Sequence, residues 1–245
     1  MKLIKLEIES AILGKNVYQV ELLDDAASFA DEESSIIQKY QPYYLQCQVD
    51  AGDLAAIHEM EAAGFRFVEF RLRKQLDVNS FHSVDQLAYF PYVTKSVRDE
   101  KSYEKALHIL QQSQPDDRYS KDPLISRDIS MKRLQWYLKK SFENSEREFV
   151  WGLFNKNTSE LLGFKTIEMS KQNQVLFEQT AIQQDLDKEK FTFMLDALVI
   201  SHYLGEGINY FFSVTSAFNL MEVDLHISDL NYKNISSSLI LRKIY

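Results

Sequence analysis

The chain has 245 residues, of which 45% are hydrophobic and 26% charged, and its formal net charge at pH 7 is −8. This composition is typical of a globular protein rather than a disordered one, and the length allows one large domain or two small ones. The acidic charge argues against non-specific nucleic-acid binding, which needs a basic face.

Neither a membrane segment nor a metal site is predicted. The sequence lacks an apolar run of about 18 residues, and its beginning, MKLIKLEIES, alternates apolar and charged residues as a strand would. The five histidines and one cysteine lack metal-ligand spacing such as CxxC or HExxH. The single cysteine, Cys47, cannot form an internal disulfide, so we expect a packed thiol in a cytoplasmic protein.

Residues 1–85 are predicted to form a small βαβ domain. Asp53 suits the N-cap of a helix, and Gly64 suits the residue that follows its last turn. The expected elements are, in order, a strand at 18–23, an acidic segment at 24–35, a strand at 43–49, a helix from Asp53 to Gly64 and a strand from 65 to about 75.

Residues 86–245 are predicted to form a second, larger α/β domain. The expected elements are a short strand at 90–93, a helix from Ser102, a helix at 128–142, a hairpin of strands 149–154 and 161–168, a strand at 175–182, a helix at 187–204, a strand at 209–214, a helix at 219–228 and a strand at 236–241. This order indicates a mixed α/β (α+β) sheet that is covered by helices.

Several motifs in this order resemble the GNAT N-acetyltransferase superfamily, and their details are similar to its TDP-fucosamine acetyltransferase branch. The motifs are ESAILGKNVYQVEL, AAGFRFVEFRLR, DDRYSKDPLIS with the later Trp136–Tyr137 pair, Leu162–Gly163–Phe164, and Thr215 with Asn219. The resemblance covers nearly the whole chain. It implies a GNAT-like mixed central sheet flanked by helices, with a smaller N-terminal βαβ partial-GNAT domain.

The resemblance also implies a function. An acetyl-CoA-dependent N-acetyltransferase would transfer the acyl group directly to a primary amine of a small molecule, such as a nucleotide-linked amino sugar, and would pair as a homodimer. The second hypothesis is that the protein keeps the GNAT scaffold but has a binding or regulatory role instead of the enzymatic one. This is possible because the same fold can carry different functions.

The phosphate-binding loop is where the sequence departs from the family. The family's glycine-rich QGRGIG loop falls, without gaps, on Asp187, Lys188, Glu189, Lys190, Phe191 and Thr192. Either Lys188, Lys190 and Thr192 hold the phosphates with their side chains, or these are ordinary first-turn residues and acetyl-CoA binding is weak or lost. The resemblance also assigns three residues outside the loop to acetyl-CoA: Thr180, Ile182 and Asn219.

Two residues are candidates for the acid–base chemistry. His226 stands seven residues after Asn219, where the family has a tyrosine that protonates the thiolate of CoA, and histidine can donate such a proton. The alternative is a helix-end residue with a structural role. Glu178, on the central strand, is the candidate base if its side chain faces the cleft, and burial would raise its pKa.

Arg118 and Tyr119 lie on a loop that in the resembling family approaches the acceptor. Arg118 either binds a phosphate of a sugar nucleotide with its fork of N–H groups or pins the loop through Asp117 or Asp122.

Overall fold

The computed structural model describes residues 1–22, 29–82, 89, 91–114, 117–144, 146–170 and 173–245. Its elements are β1 (Lys2–Lys5), α1 (Glu7–Leu13), β2 (Val17–Glu21), α2 (Phe29–Tyr40), β3 (Tyr44–Asp50), α3 (Leu54–Ala62), β4 (Arg66–Leu76), β5 (Tyr92–Ser96), α4 (Glu100–Gln112), α5 (Arg118–Lys121), α6 (Arg127–Glu143), β6 (Glu148–Asn155), β7 (Glu160–Met169), β8 (Gln174–Ile182), α7 (Lys188–Gly205), β9 (Tyr210–Ser216), α8 (Leu220–Asp224) with a π-helical turn at Leu225–Asp229, and β10 (Tyr232–Ile244).

Within the described residues, the strands form a single ten-stranded sheet in the order β1-β2-β3-β10-β4-β9-β8-β7-β6-β5. The sheet is mixed: β2 runs parallel to β3 and β8 parallel to β9, and the other neighbours are antiparallel. The predicted mixed sheet covered by helices is therefore confirmed.

The last strand, β10, lies between β3 and β4 and pairs antiparallel with both. The sheet consequently runs without interruption from the first strands to the last ones. The predicted domain boundary, between residues 85 and 86, lies outside the described residues, so the division into 1–85 and 86–245 stays a prediction.

Helices cover both faces of this sheet. On one face, α2 and α3 pack against β2, β3 and β10, and α7 packs against β7, β8 and β9. On the other face, α1 and α5 pack against β2 and β3, and α4 and α6 pack against β6, β7 and β8. Neighbouring residues of one strand, such as Tyr44 and Leu45, enter the cores of opposite faces because side chains alternate along a strand.

Several predicted elements differ from those observed. Helix α1 was not predicted, although Gly14, in the left-handed conformation with φ 64°, ends it as a glycine commonly does. No regular element was predicted for the acidic segment 24–35, but helix α2 begins within it at Phe29. Residues 24–28 of this segment lie outside the described residues. The strand predicted at 90–93 is β5, at Tyr92–Ser96, and Phe90 lies outside the described residues. The final strand is longer at both ends than residues 236–241.

Candidate functional site

Strands β8 and β9 separate in the middle of the sheet. They pair only over Gln174–Phe177 and Tyr210–Ser213. Beyond these residues β8 continues along β7, and β9 continues along β4 as far as the pair Arg71–Ser216. A wedge-shaped opening, which we call the cleft, therefore lies between residues 178–182 and 214–216.

A β-bulge in β8 stands at the start of the cleft. Lys165 of β7 pairs with Thr180 and Ile167 pairs with Phe177, so Glu178 and Gln179 together face Thr166 alone. The N–H of Gln179 donates to Oγ1 of Thr166 at 3.1 Å. Because a bulge bends its strand and increases the local twist, this extra residue helps β8 to turn away from β9.

Backbone groups of β8 face the cleft. The N–H groups of Gln179 and Gln183 both donate toward β7, the latter to the carbonyl oxygen of Leu162 at 2.9 Å. Since N–H directions alternate along a strand, those of Thr180 and Ile182 point to the opposite, open side. The strand thus offers two N–H donors at the cleft edge.

A glycine brings β7 close to this part of β8. A Cβ atom added at Gly163 would lie 2.9 Å from the carbonyl oxygen of Ala181 and 2.4 Å from Cδ1 of Ile182. Any larger residue would push the strands apart at the cleft, so Gly163 has a structural reason to be a glycine.

The cleft opens into a cavity of about 630 Å³. Its walls come from β4, the end of α4, α6, β8, the segment before α7, β9 and the start of α8. Among the residues predicted for the site, five line this cavity: Glu178, Thr180, Ile182, Lys188 and Asn219.

Glu178 lies on the cavity wall with its carboxylate accessible to solvent. The surrounding protein still removes part of its hydration, and this burial raises the pKa of Glu178 to about 7, with the carboxylates of Glu168 and Glu148 adding to the effect. A carboxyl group with this pKa exists in both protonation states near neutral pH, which suits a general base.

The N-terminus of α7 is occupied by a carboxylate of its own. Asp187 is the N-cap, and its Oδ1 accepts the N–H of Lys190 at 3.1 Å. Glu189 adds a second carboxylate in the first turn. Because the positive end of the helix dipole is already paired with these charges, it attracts a bound phosphate less than a glycine-rich loop would.

The other loop residues are divided between solvent and core. Lys188 lines the cavity, whereas Glu189 and Lys190 are exposed beside it. Phe191 is buried against Tyr92, with ring centroids 5.3 Å apart, and Thr192 is buried as well. The side chains of Phe191 and Thr192 therefore belong to the core and do not line the cavity, and their place beside the phosphates stays a prediction.

His226 lies in the π-helical turn and is completely buried. Its Nε2 is 3.1 Å from Oδ2 of Asp196, and its ring stacks on Tyr232 at 4.8 Å. Burial lowers the pKa of His226, although the hydrogen bond to Asp196 opposes this. His226 does not line the cavity, whereas its neighbour Glu222, 4.0 Å from Nε2, does; the role of His226 as the acid stays a prediction.

His226 belongs to a group of buried charges that the sequence did not reveal. We call it the buried ion cluster: Lys74, Lys165, Asp196, Glu222 and His226. Nζ of Lys165 is 2.6 Å from Oδ1 of Asp196. Nζ of Lys74 has no hydrogen-bond partner among the described residues, and burial lowers the pKa of Lys74 to about 8. Strand lysines usually reach solvent, so the sequence contained no signal for this cluster.

Arg118 and Tyr119 are buried beneath the cavity rather than exposed on its wall. Nη1 of Arg118 is 3.6 Å from Glu69 and Nη2 is 3.9 Å from Glu9, so its partners are neither Asp117 nor Asp122. Asp117 caps α5, and Asp122 holds Arg242 of β10 through bonds of 2.8 and 3.0 Å. Arg118 thus has a structural position, but with other partners than the two predicted ones, and its contact with a ligand stays a prediction.

Known structures share this architecture. A GCN5-related N-acetyltransferase from Sphaerobacter thermophilus superposes with a TM-score of 0.66 and 8% identity, over 99% of this chain and 75% of that one. A tandem GNAT protein from the clavulanic acid biosynthesis pathway gives 0.60 and 10%, over 93% and 75%. A GCN5-related N-acetyltransferase from Kribbella flavida gives 0.58 and 8%, over 93% and 81%.

The chain has the GNAT fold. At these identities the likeness concerns the fold alone. No protein-family model and no curated protein matches the chain, so the TDP-fucosamine branch stays a prediction.

Two further observations concern the residues that the structure describes. No helix there is long and apolar enough to cross a membrane. The same residues contain no group of three or more His, Cys, Asp and Glu side chains arranged to hold a metal ion.

Proposed function

We propose that this protein transfers an acyl group from acetyl-CoA to a primary amine inside the cleft between β8 and β9. The observation that carries the proposal is the separation of these strands after Phe177 and Ser213, with a cavity at the opening. The thioester would lie along β8, where N–H groups are free to receive it.

The side chains and backbone of the cleft supply the chemistry for this transfer. Glu178 accepts a proton from the amine, whose nitrogen attacks the thioester carbon, and the C–S bond breaks. The N–H groups of Thr180 and Ile182 stabilise the negative charge that develops on the carbonyl oxygen. The thiolate leaves and takes up a proton from water in the cavity. His226 is not the donor in this scheme, because its Nε2 faces Asp196.

The fit of acetyl-CoA differs between its two ends. The thioester end meets two free N–H donors, whereas the diphosphate end meets the capped helix with Asp187 and Glu189. Lys188 is the loop cation that lines the cavity and is placed to offset these charges. Asn219 lines the cavity on the other side of the cleft. As the acceptor we propose an amino sugar that is linked to a nucleotide and that receives the acyl group directly.

The paired helix terminus favours a second candidate function. If Asp187 keeps its bond to the N–H of Lys190, the diphosphate loses that amide donor and meets a carboxylate beside it, and the protein is a GNAT scaffold with a binding or regulatory role.

Calorimetric titration with acetyl-CoA tests the two functions. We expect Lys188→Glu to abolish binding and the matched variant Lys190→Glu, in the same turn but outside the cavity, to preserve most of it. Glu178→Gln should bind normally and lose about 10²- to 10⁴-fold in the rate of transfer to an amine. The absence of binding at millimolar acetyl-CoA would refute the enzyme and leave the second function.

A further inference from the structure

Two arginines line the cavity on the side of β4 and α6. Arg71 belongs to β4 and Arg133 to α6, and their side chains are 25% and 15% exposed. Neither residue was selected from the sequence. Their guanidinium groups are the main cations on this wall of the cavity, whereas Lys188 lies at the start of α7.

The guanidinium group of Arg71 is hydrogen-bonded to the described part of the protein through Nε alone. Its Nε donates to Oε2 of Glu69 at 2.8 Å, while its Nη1 and Nη2 make no hydrogen bond to any residue that the structure describes. The residues beside it in the sheet are Ser216 on β9 and Ser238 on β10. Because both neighbours are small, the guanidinium group has room for a ligand next to it.

Arg133 is held in a similar way. Its Nε donates to Glu9 at 3.1 Å and its Nη1 to Asp117 at 3.3 Å, which leaves Nη2 without a partner in the described part of the chain. Its guanidinium also lies over the ring of Tyr137, 4.8 Å from the centroid. These contacts fix the orientation of the group before any ligand arrives, so little side-chain entropy would be lost on binding.

A third arginine, Arg118, lies behind this wall. Its side chain is buried, and its Nε and Nη1 have no hydrogen-bond partner among the residues that the structure describes. Burial, followed by the neighbouring Arg118, lowers the pKa of Arg71, so these guanidinium groups are close enough to repel each other. The carboxylates of Glu9, Glu69 and Asp117 balance the three arginines, of which Arg71 and Arg133 line the cavity.

We propose that Arg71 and Arg133 bind an anionic group, a carboxylate or a phosphate, of the amine that accepts the acyl group. This inference rests on the proposed function and deepens it. Charge-assisted hydrogen bonds from arginine suit both anions. The amine of the same molecule would lie toward Glu178, which is two strands away from Arg71 across the sheet; because β8 and β9 have separated there, the distance exceeds the roughly 10 Å of two paired-strand spacings. The acceptor is therefore a molecule with an amine at one end and an anion several bonds away.

Binding of matched amines, without an acyl donor, tests this site. Calorimetry compares glucosamine 6-phosphate with glucosamine, and 6-aminohexanoate with hexylamine. We expect the anionic member of at least one pair to bind about 10- to 100-fold more tightly, the effect of one or two charged hydrogen bonds. The first pair reports on a phosphate and the second on a carboxylate. Equal affinity within both pairs would overturn the proposal.

Variants assign the effect to the two arginines. Arg71→Lys keeps a charge for Glu69 but loses the open fork, and should remove most of the preference for the anionic member. Arg133→Lys should do the same and serves as the second test if Arg71→Lys unfolds. Arg73→Lys is the control, because Arg73 lies on the same strand face, stacks on Phe212 and does not line the cavity. A preference that survives both cavity variants would contradict the assignment.

The outcomes separate this inference from the proposed function. Equal acyl transfer within both pairs, to glucosamine and glucosamine 6-phosphate and to hexylamine and 6-aminohexanoate, would refute the anion site and support the transferase. Anion-dependent binding without any transfer would support the site and refute the transferase.

Discussion

Glu178 offers the most direct test of the site, because its raised pKa couples the cleft to the stability of the fold. A shift from 4.5 to about 7 corresponds to roughly 3 kcal/mol, since one pKa unit is worth about 1.4 kcal/mol. Solvent reaches the carboxylate and screens it, so we reduce this figure to roughly 1–2 kcal/mol. This is the stability that the wild-type protein should lose as the pH rises.

The sign of this pH dependence follows from the number of protons that the folded and the unfolded protein bind. Between pH 4.5 and about 7 the folded protein keeps a proton on Glu178 that the unfolded chain has released, so folding becomes less favourable as the pH rises. Glu178→Gln has no such proton. Relative to the wild type, the variant should therefore gain roughly 1–2 kcal/mol between pH 4.5 and pH 8.

Urea unfolding of both proteins across this pH range measures the effect. Glu104→Gln, an exposed change on α4, serves as the surface control and should follow the wild type. Glu168→Gln should reduce the pH dependence in part, since the carboxylate of Glu168 helps to raise the pKa of Glu178. If wild type and Glu178→Gln lose stability in parallel, Glu178 does not have a raised pKa and the argument for it as a base fails.

Three further predictions concern other parts of the site and fold. Asp187→Ser should keep the helix cap while removing its charge, so acetyl-CoA should bind about 5- to 10-fold more tightly in calorimetry; unchanged affinity would place the phosphates elsewhere. Asp122→Ala should lower the free energy of unfolding in urea by about 3–5 kcal/mol, because the nearly buried Arg242 loses its partner, and a loss below about 1 kcal/mol would contradict this. For Lys74, whose pKa is lowered to about 8, wild-type stability should rise from pH 8 toward 10.5 as the folded state releases its proton first; Lys74→Met should lack this rise, and identical profiles would refute the lowered pKa.

The sequence predicted most of the regular elements, because periodicity and capping are local properties. Strand β8 was expected at 175–182 and helix α7 at 187–204, each within one residue of the observed bounds. The position of β10 between β3 and β4 could not be predicted in the same way. An alternating strand shows which face is buried but does not identify the strands on either side of it.

The candidate site was harder to predict than the fold. The orientation of Glu178 depends on the bulge at Glu178 and Gln179, and one extra residue changes which face a side chain joins. The burial of His226 depends on Asp196 and Tyr232, which are distant in the sequence. Arg71 resembled an ordinary strand residue, and only the register beside Ser216 and Ser238 reveals the open space around it.

The place of β10 in the sheet has a consequence for biosynthesis. During translation, β3 and β4 emerge long before residues 232–244, and until then each has an unpaired edge on the side that β10 will fill. Such edges invite aggregation. The first half of the chain therefore cannot complete its sheet before Tyr232–Ile244 have emerged, and we expect their emergence to trigger cooperative closure of the whole sheet. A nascent chain stalled before Tyr232 should remain sensitive to proteases and dependent on chaperones.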